Sequence, residues 1–115
     1  MQVIDNFFET HKKRTTNIVA AFYNKMKVAE FSSNDPILDT IIFLNGLLKN
    51  FRLTGVTIAT IFEPTLKEMG ALTLSRVDQV LYLKKHPLSA PPIWDHFLVH
   101  RVILRQYAAS APENR

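Results

Sequence analysis

Cysteine is missing from all 115 positions, which excludes disulfide staples, thiol catalysis and thiolate zinc sites and fits a reducing compartment. Glycine is scarce: Gly46, Gly55 and Gly70 stand far apart, so no glycine-rich phosphate loop is present. No serine lies in a nucleophile-elbow pattern. No uncharged apolar run reaches membrane-spanning length, and the N-terminus, with Asp5 and Glu9 ahead of Lys12-Lys13-Arg14, lacks the order of a secretory signal. These absences predict a cytoplasmic protein that is no enzyme, holds no cofactor or metal and touches no membrane.

The content that is there suits one compact domain, with 47% hydrophobic residues and a modest core. Fourteen Lys and Arg against 10 Asp and Glu leave a net charge of +4, which permits acidic partners without specifying one. Apolar spacing reads as helical almost throughout, first at Val3, Ile4, Phe7 and Phe8, then at Ile18, Val19, Phe22, Tyr23 and Met26. Between them His11-Lys12-Lys13-Arg14 forms a basic collar, read as a solvated face with phosphate contact as the alternative.

After Ser32-Ser33-Asn34 the pair Asp35-Pro36 gives the clearest helix start, a capping carboxylate followed by proline at the first helical position. The stripe that follows is too wide for a one-sided surface helix. Leu38, Ile41, Ile42, Leu44, Leu47, Leu48 and Phe51 are therefore expected to form a dimer interface. Val56 to Ile61 allows a short strand on propensity, but helix is favoured because no second strand candidate is evident to pair with it.

Glu63 to Lys85 reads as two short helices hinged at Gly70: Pro64 starts the first, and Ser75 with Asp78 approximates a capping box for the second. Leu74, Val77, Leu81 and Lys84 then line one face. Such a hairpin suits a nucleic-acid groove and equally an ordinary helical core. Arg76 and Lys84-Lys85-His86, at the two ends of the second helix, are candidate DNA-phosphate contacts; the plain alternative is that the lysines complement its dipole. Three prolines, Pro87, Pro91 and Pro92, set a connector before a last helix from near Ile93, where Arg101 and Arg105 form a second candidate DNA-binding pair. His96 and His100 share a face of that helix, but no third ligand is evident, so they are read as ordinary surface or interface residues. The expected fold is all-α: about five helices around a central helix-turn-helix-like hairpin, dimer-forming. Residues 1–34 form an N-terminal extension helix, 35–86 the core, and 87–115 the connector, last helix and frayed tail.

Asp35, Leu38, Ile41, Ile42, Phe43, Leu47 and Leu48, then Ile61, Glu63 and Ala71-Leu72-Thr73-Leu74, resemble the pattern of the FlhD family. This is the small helical subunit of the bacterial flagellar master transcription activator, and it includes relatives on conjugative elements. The likeness covers Asp35 through Leu74, and only Ala-Leu-Thr-Leu matches contiguously. The family's Phe-Arg-Leu-Gly has an echo in Phe51-Arg52-Leu53-Thr54-Gly55, several residues too early for the same register. The resemblance implies a homodimer that joins a larger, zinc-containing FlhC-like subunit to bind promoter DNA and recruit RNA polymerase, with no metal in this chain. The alternative is a small helical adaptor or secretion-type chaperone that binds a protein and no nucleic acid.

Overall fold

Apolar residues in three short segments of this chain, Val19 to Tyr23, Val56 to Phe62 and Gln79 to Lys84, alternate between two covered faces, and that is the pattern of a central sheet rather than a helix bundle. The computed structural model describes residues 2–24, 26–49, 52–85 and 103–107. In chain order they form α1 (Gln2–His11), β1 (Val19–Tyr23), β2 (Met26–Phe31), α2 (Pro36–Leu48), β3 (Val56–Phe62), α3 (Leu66–Ser75), β4 (Gln79–Lys84) and β5 (Ile103–Gln106). The strands make one mixed sheet of order β2-β1-β3-β4-β5. β1 is antiparallel to both β2 and β3, whereas β3, β4 and β5 run parallel.

Successive positions of β1, β3 and β4 go to opposite layers. Val19 and Ala21 of β1, Val56 and Ile58 of β3 and Val80 of β4 meet Ile37, Ile41 and Leu44 of α2 and Met69 and Leu72 of α3. Ala20 and Phe22, Ala59 and Ile61, and Leu81 and Leu83 face the other way, against Ile4, Phe7 and Phe8 of α1. The result is a helix–sheet–helix sandwich in which the central strands are covered on both sides, so they read as continuous apolar runs. β3-α3-β4 is a parallel crossover, a connection that needs a helix because a hairpin turn cannot carry the chain back to the start of a parallel neighbour.

The all-α expectation is therefore overturned, and the reasons are local. Val56 to Phe62 is a strand, and its partners β1 and β4 lie in segments whose spacing imitates a helix because double-sided burial hides period-two alternation. Asn24, at φ 53°, turns β1 back into β2, a left-handed position that asparagine tolerates. No hinge occurs at Gly70: α3 passes straight through it and ends after Ser75, with Arg76 at φ 63° and its N–H bonded to Thr73 O. The helix-turn-helix-like hairpin is thus one helix followed by one strand. Ser75 caps nothing downstream; its hydroxyl donates to Ala71 O. α2 does begin at the Asp35-Pro36 signal, with Asp35 Oδ1 accepting Leu38 N–H at 3.3 Å. α1, β1 and β2, drawn from the expected N-terminal extension, are built into the same sheet and its covering layer.

The wide stripe on α2 is divided by the sheet. Ile41 and Leu44 are buried in the core, Leu48 packs at its margin, and Leu38, Ile42 and Leu47 are exposed. Ile41 and Leu44 are thus unavailable to a dimer interface, and Phe51 lies outside the described residues. No helix among the described residues is long and apolar enough to cross a membrane.

Candidate functional site

β3 and β4 end at the same edge of the sheet, at Phe62 and Lys84, and α2 and α3 both start there, after β2 and β3 respectively. The carboxyl edge of parallel strands is where open α/β sheets form ligand crevices, because the departing connections leave a gap. Here the gap is an open cleft of about 970 Å³, lined by four stretches of chain: Arg14 to Asn17, Ser32 to Asn34 with Pro36, Phe62 with Thr65 and Glu68, and Lys84.

Its walls are tied together by polar contacts. Asn17 Oδ1 accepts the Phe62 N–H at 3.0 Å, which pins the loop before β1 to the end of β3. Arg14 Nη2 donates to Ser32 Oγ at 3.1 Å and to Thr16 Oγ1 at 3.3 Å, so the guanidinium bridges the loops before β1 and after β2. Lys84 Nζ donates to Arg14 O at 3.2 Å and sits 5.5 Å from the centroid of the Phe62 ring. Ser33 Oγ donates to Asp39 Oδ2, which fixes the α2 entrance. At the α3 entrance a reciprocal capping box closes: Thr65 Oγ1 accepts the Glu68 N–H at 3.3 Å, and Glu68 Oε1 accepts the Thr65 N–H at 2.8 Å.

The electrostatic balance of the cleft favours an anion. Two cationic side chains, Arg14 and Lys84, face one carboxylate, Glu68, among the residues that line it. Phe62 offers an aromatic face at the same edge. Hydroxyls and carboxamides complete the lining, which suits hydrogen bonding to a polar heterocycle as well as to an anionic group.

No protein-family model matches the sequence, and no curated protein matches it. Solved structures do match in fold. One, from biochemical and structural studies of A-to-I editing by tRNA:A34 deaminases at the wobble position of transfer RNA, superposes with a TM-score of 0.72 over 97% of this chain and 91% of that one, at 12% identity. Guanine deaminase from Nitrosomonas europaea gives 0.69 over 96% and 76%, at 11% identity. dCMP deaminase from the cyanophage S-TIM5 gives 0.63 over 92% and 95%, at 12% identity. At this level of identity the likeness shows the fold, and the fold is the α/β one shared by these deaminases.

That finding overturns the resemblance to the FlhD family, whose helical subunit has no place in a five-stranded sheet. With it go the transcription-activator reading, the FlhC-like partner, promoter DNA and RNA polymerase, and also the alternative of a helical adaptor or chaperone. The expectation of a non-enzyme is corrected too, since the fold is shared with tRNA, guanine and dCMP deaminases and carries a cleft of ligand-binding size.

The candidate DNA contacts are scattered by the fold. Arg76 closes α3, Lys84 enters the cleft, Lys85 is exposed beyond the end of β4, and Arg105 is exposed on β5. His86 and Arg101 lie outside the described residues, as do His96 and His100. The basic collar is dispersed in the same way: His11 meets Glu30 at 3.5 Å, Lys12 meets Glu9 at 2.7 Å, and only Arg14 of the four reaches the cleft. Of the cleft residues, the sequence suggests Lys84 as a functional contact and Arg14 only in the alternative reading of the basic collar. Thr65-Leu66-Lys67-Glu68 carries a full capping-box signature, and starting the helix at Pro64, ahead of its cap, conceals it.

Zinc deaminases as a class hold their metal with one His and two Cys, arranged as H-x-E followed by P-C-x-x-C. Only part of the second motif has an echo here: Pro64-Thr65-Leu66-Lys67-Glu68 at the α3 entrance keeps its proline and spacing with Thr and Glu where the motif has Cys, and the α2 entrance, Ser33-Asn34-Asp35, has neither His nor Glu. The donor set does not fit zinc: the chain has no thiolate, the described cleft lining has no imidazole, and zinc sites use thiolate, imidazole and carboxylate rather than neutral hydroxyls. Among the described residues, no three His, Cys, Asp or Glu side chains group closely enough to hold a metal.

Proposed function

We propose that this chain is a deaminase-type protein that takes a nucleobase-bearing anion, of nucleotide type, in the cleft at the carboxyl edge of β3 and β4. The observation that carries the reading is the convergence there of Arg14, Lys84, the Phe62 ring and the starts of α2 and α3. A phosphate or similar group is drawn to the two cations, while a flat heterocycle finds an aromatic face and hydroxyl partners. The base-bearing part of the ligand is supported by the matched structures, which are deaminases of tRNA, guanine and dCMP. Among the described residues Glu68 is the one carboxylate lining the cleft, and it is therefore the group to which proton transfer at a bound base would fall. A nucleotide ligand also suits the cytoplasmic location expected from the sequence.

Isothermal titration of the purified chain with dCMP, GMP and guanine tests this directly. Measurable binding that Lys84→Ala weakens about tenfold, equivalent to roughly 1.4 kcal/mol, is the expected result. Absence of heat with every one of these ligands would sink the assignment. Ammonia release from the bound ligand, lost in Glu68→Gln, would extend the function from recognition to turnover.

A further inference from the structure

We infer that this chain is a metal-independent version of the deaminase fold, in which the positions that hold zinc in the zinc enzymes serve as caps for their own helices. Three observations carry the inference, and none depends on the ligand proposed above. First, Pro64-Thr65-Leu66-Lys67-Glu68 at the α3 entrance keeps the proline and spacing of P-C-x-x-C with Thr65 and Glu68 in the Cys places, and the cleft they line carries Ser33, not an imidazole, on its α2 side. Second, the replacing side chains are already committed. Thr65 and Glu68 satisfy each other's backbone N–H groups, at 3.3 and 2.8 Å, and Ser33 is held by Asp39. Asp35, at the α2 entrance, accepts the Leu38 N–H. Third, the chain has no cysteine at any position, so no other segment supplies a thiolate.

Helix starts leave unpaired N–H donors that must be met by side chains, water or a ligand. Side chains that turn back onto those donors stabilise α2 and α3 without an ion, and the fold that zinc helps organise elsewhere is here closed by local hydrogen bonds. The inference separates the architecture of this chain from the hydrolytic chemistry that a zinc-bound water supplies in the zinc deaminases.

Elemental analysis of the full chain, purified from zinc-supplemented medium, is the first test. Fewer than about 0.1 zinc per chain, with a Tm unchanged by EDTA, is expected; near-stoichiometric zinc with a Tm that falls on chelation overturns the inference. The second test restores the ligands. Ser33→His with Thr65→Cys and Glu68→Cys should take up about one zinc per chain and regain with the metal part of the Tm lost with the capping box. A folded triple variant that leaves zinc in solution would show that these positions do not mark the metal site. Both readouts are blind to nucleotide binding, so a failed ligand titration and a failed metal assay cannot be confused.

Discussion

Gly70 lies in the interior of α3, and a Cβ added there meets no atom within 4 Å. Its backbone is helical, so the freedom that glycine brings is used only by the unfolded chain. Gly70→Ala is accordingly expected to stabilise the protein by about 0.5–1 kcal/mol, read as a rise in the denaturant midpoint. A hinge at this position would give the opposite sign. Gly55 is a different case: at φ 86°, with the Tyr23 ring 3.3 Å from where a Cβ would stand, it needs both the left-handed backbone and the space. Leu44 and Ile42 give a second contrast, on one helix two residues apart. Leu44 is fully buried and Ile42 is 60% exposed, so Leu44→Ala is expected to cost about 2–5 kcal/mol and Ile42→Ala well under about 1 kcal/mol in chemical denaturation. Equal losses would mean that the outer face of α2 is covered by another surface in solution.

Both α2 and α3 are closed at their entrances by side-chain caps. Asp35 caps α2 through Leu38 N–H, and Thr65 with Glu68 caps α3 reciprocally. Removing an N-cap oxygen typically costs about 1 kcal/mol, so Asp35→Ala and Thr65→Ala should each lower the denaturant midpoint by that equivalent. Thr65→Ser should retain most of the stability, since the hydroxyl remains. Wild-type stability in Thr65→Ala would remove the capping box from the account of the α3 start. The strands differ among themselves in the same concrete way. β3 pairs on both sides and is buried on both faces, whereas β2 is a sheet edge with an open pattern and carries the Lys27–Glu30 pair at 2.6 Å. Such charges on an edge strand discourage pairing with another chain.

For the whole molecule, this arrangement predicts a gradient of opening. Amides of β3 should exchange only by near-global unfolding, while those on the outer side of β2 should exchange by local fluctuation. Hydrogen exchange followed by mass spectrometry or NMR reads both; comparable protection in β2 and β3 would require that the β2 edge be covered. The two apolar layers also fix where function can sit. α1 seals one face with Phe7 and Phe8, α2 and α3 seal the other, and the cleft opens at the edge where the two helices and two parallel strands meet. Its walls come from distant parts of the chain, since Arg14, Ser33, Glu68 and Lys84 belong to four separate connections or elements.

Local chemistry is legible in the chain by itself. The absence of cysteine rules out a thiolate metal site whatever the fold, and Asp35-Pro36 specifies a helix start because a capping carboxylate and a fixed φ act within a few residues. The T-x-x-E box at Thr65 is just as local, although the neighbouring Pro64 draws the helix start away from it. Strand identity is not legible: Val19 to Tyr23, Val56 to Phe62 and Gln79 to Lys84 are covered on both faces, so their apolar runs lack the alternation that distinguishes strand from helix. Only the pairing of β1 with β3 and β3 with β4, segments roughly twenty to forty residues apart, decided between those states, because a strand's backbone is satisfied by its neighbours and not by itself. The same pairing brought Arg14 and Lys84 together, a contact between residues on opposite sides of the sheet's switch from antiparallel to parallel that no spacing along the chain encodes.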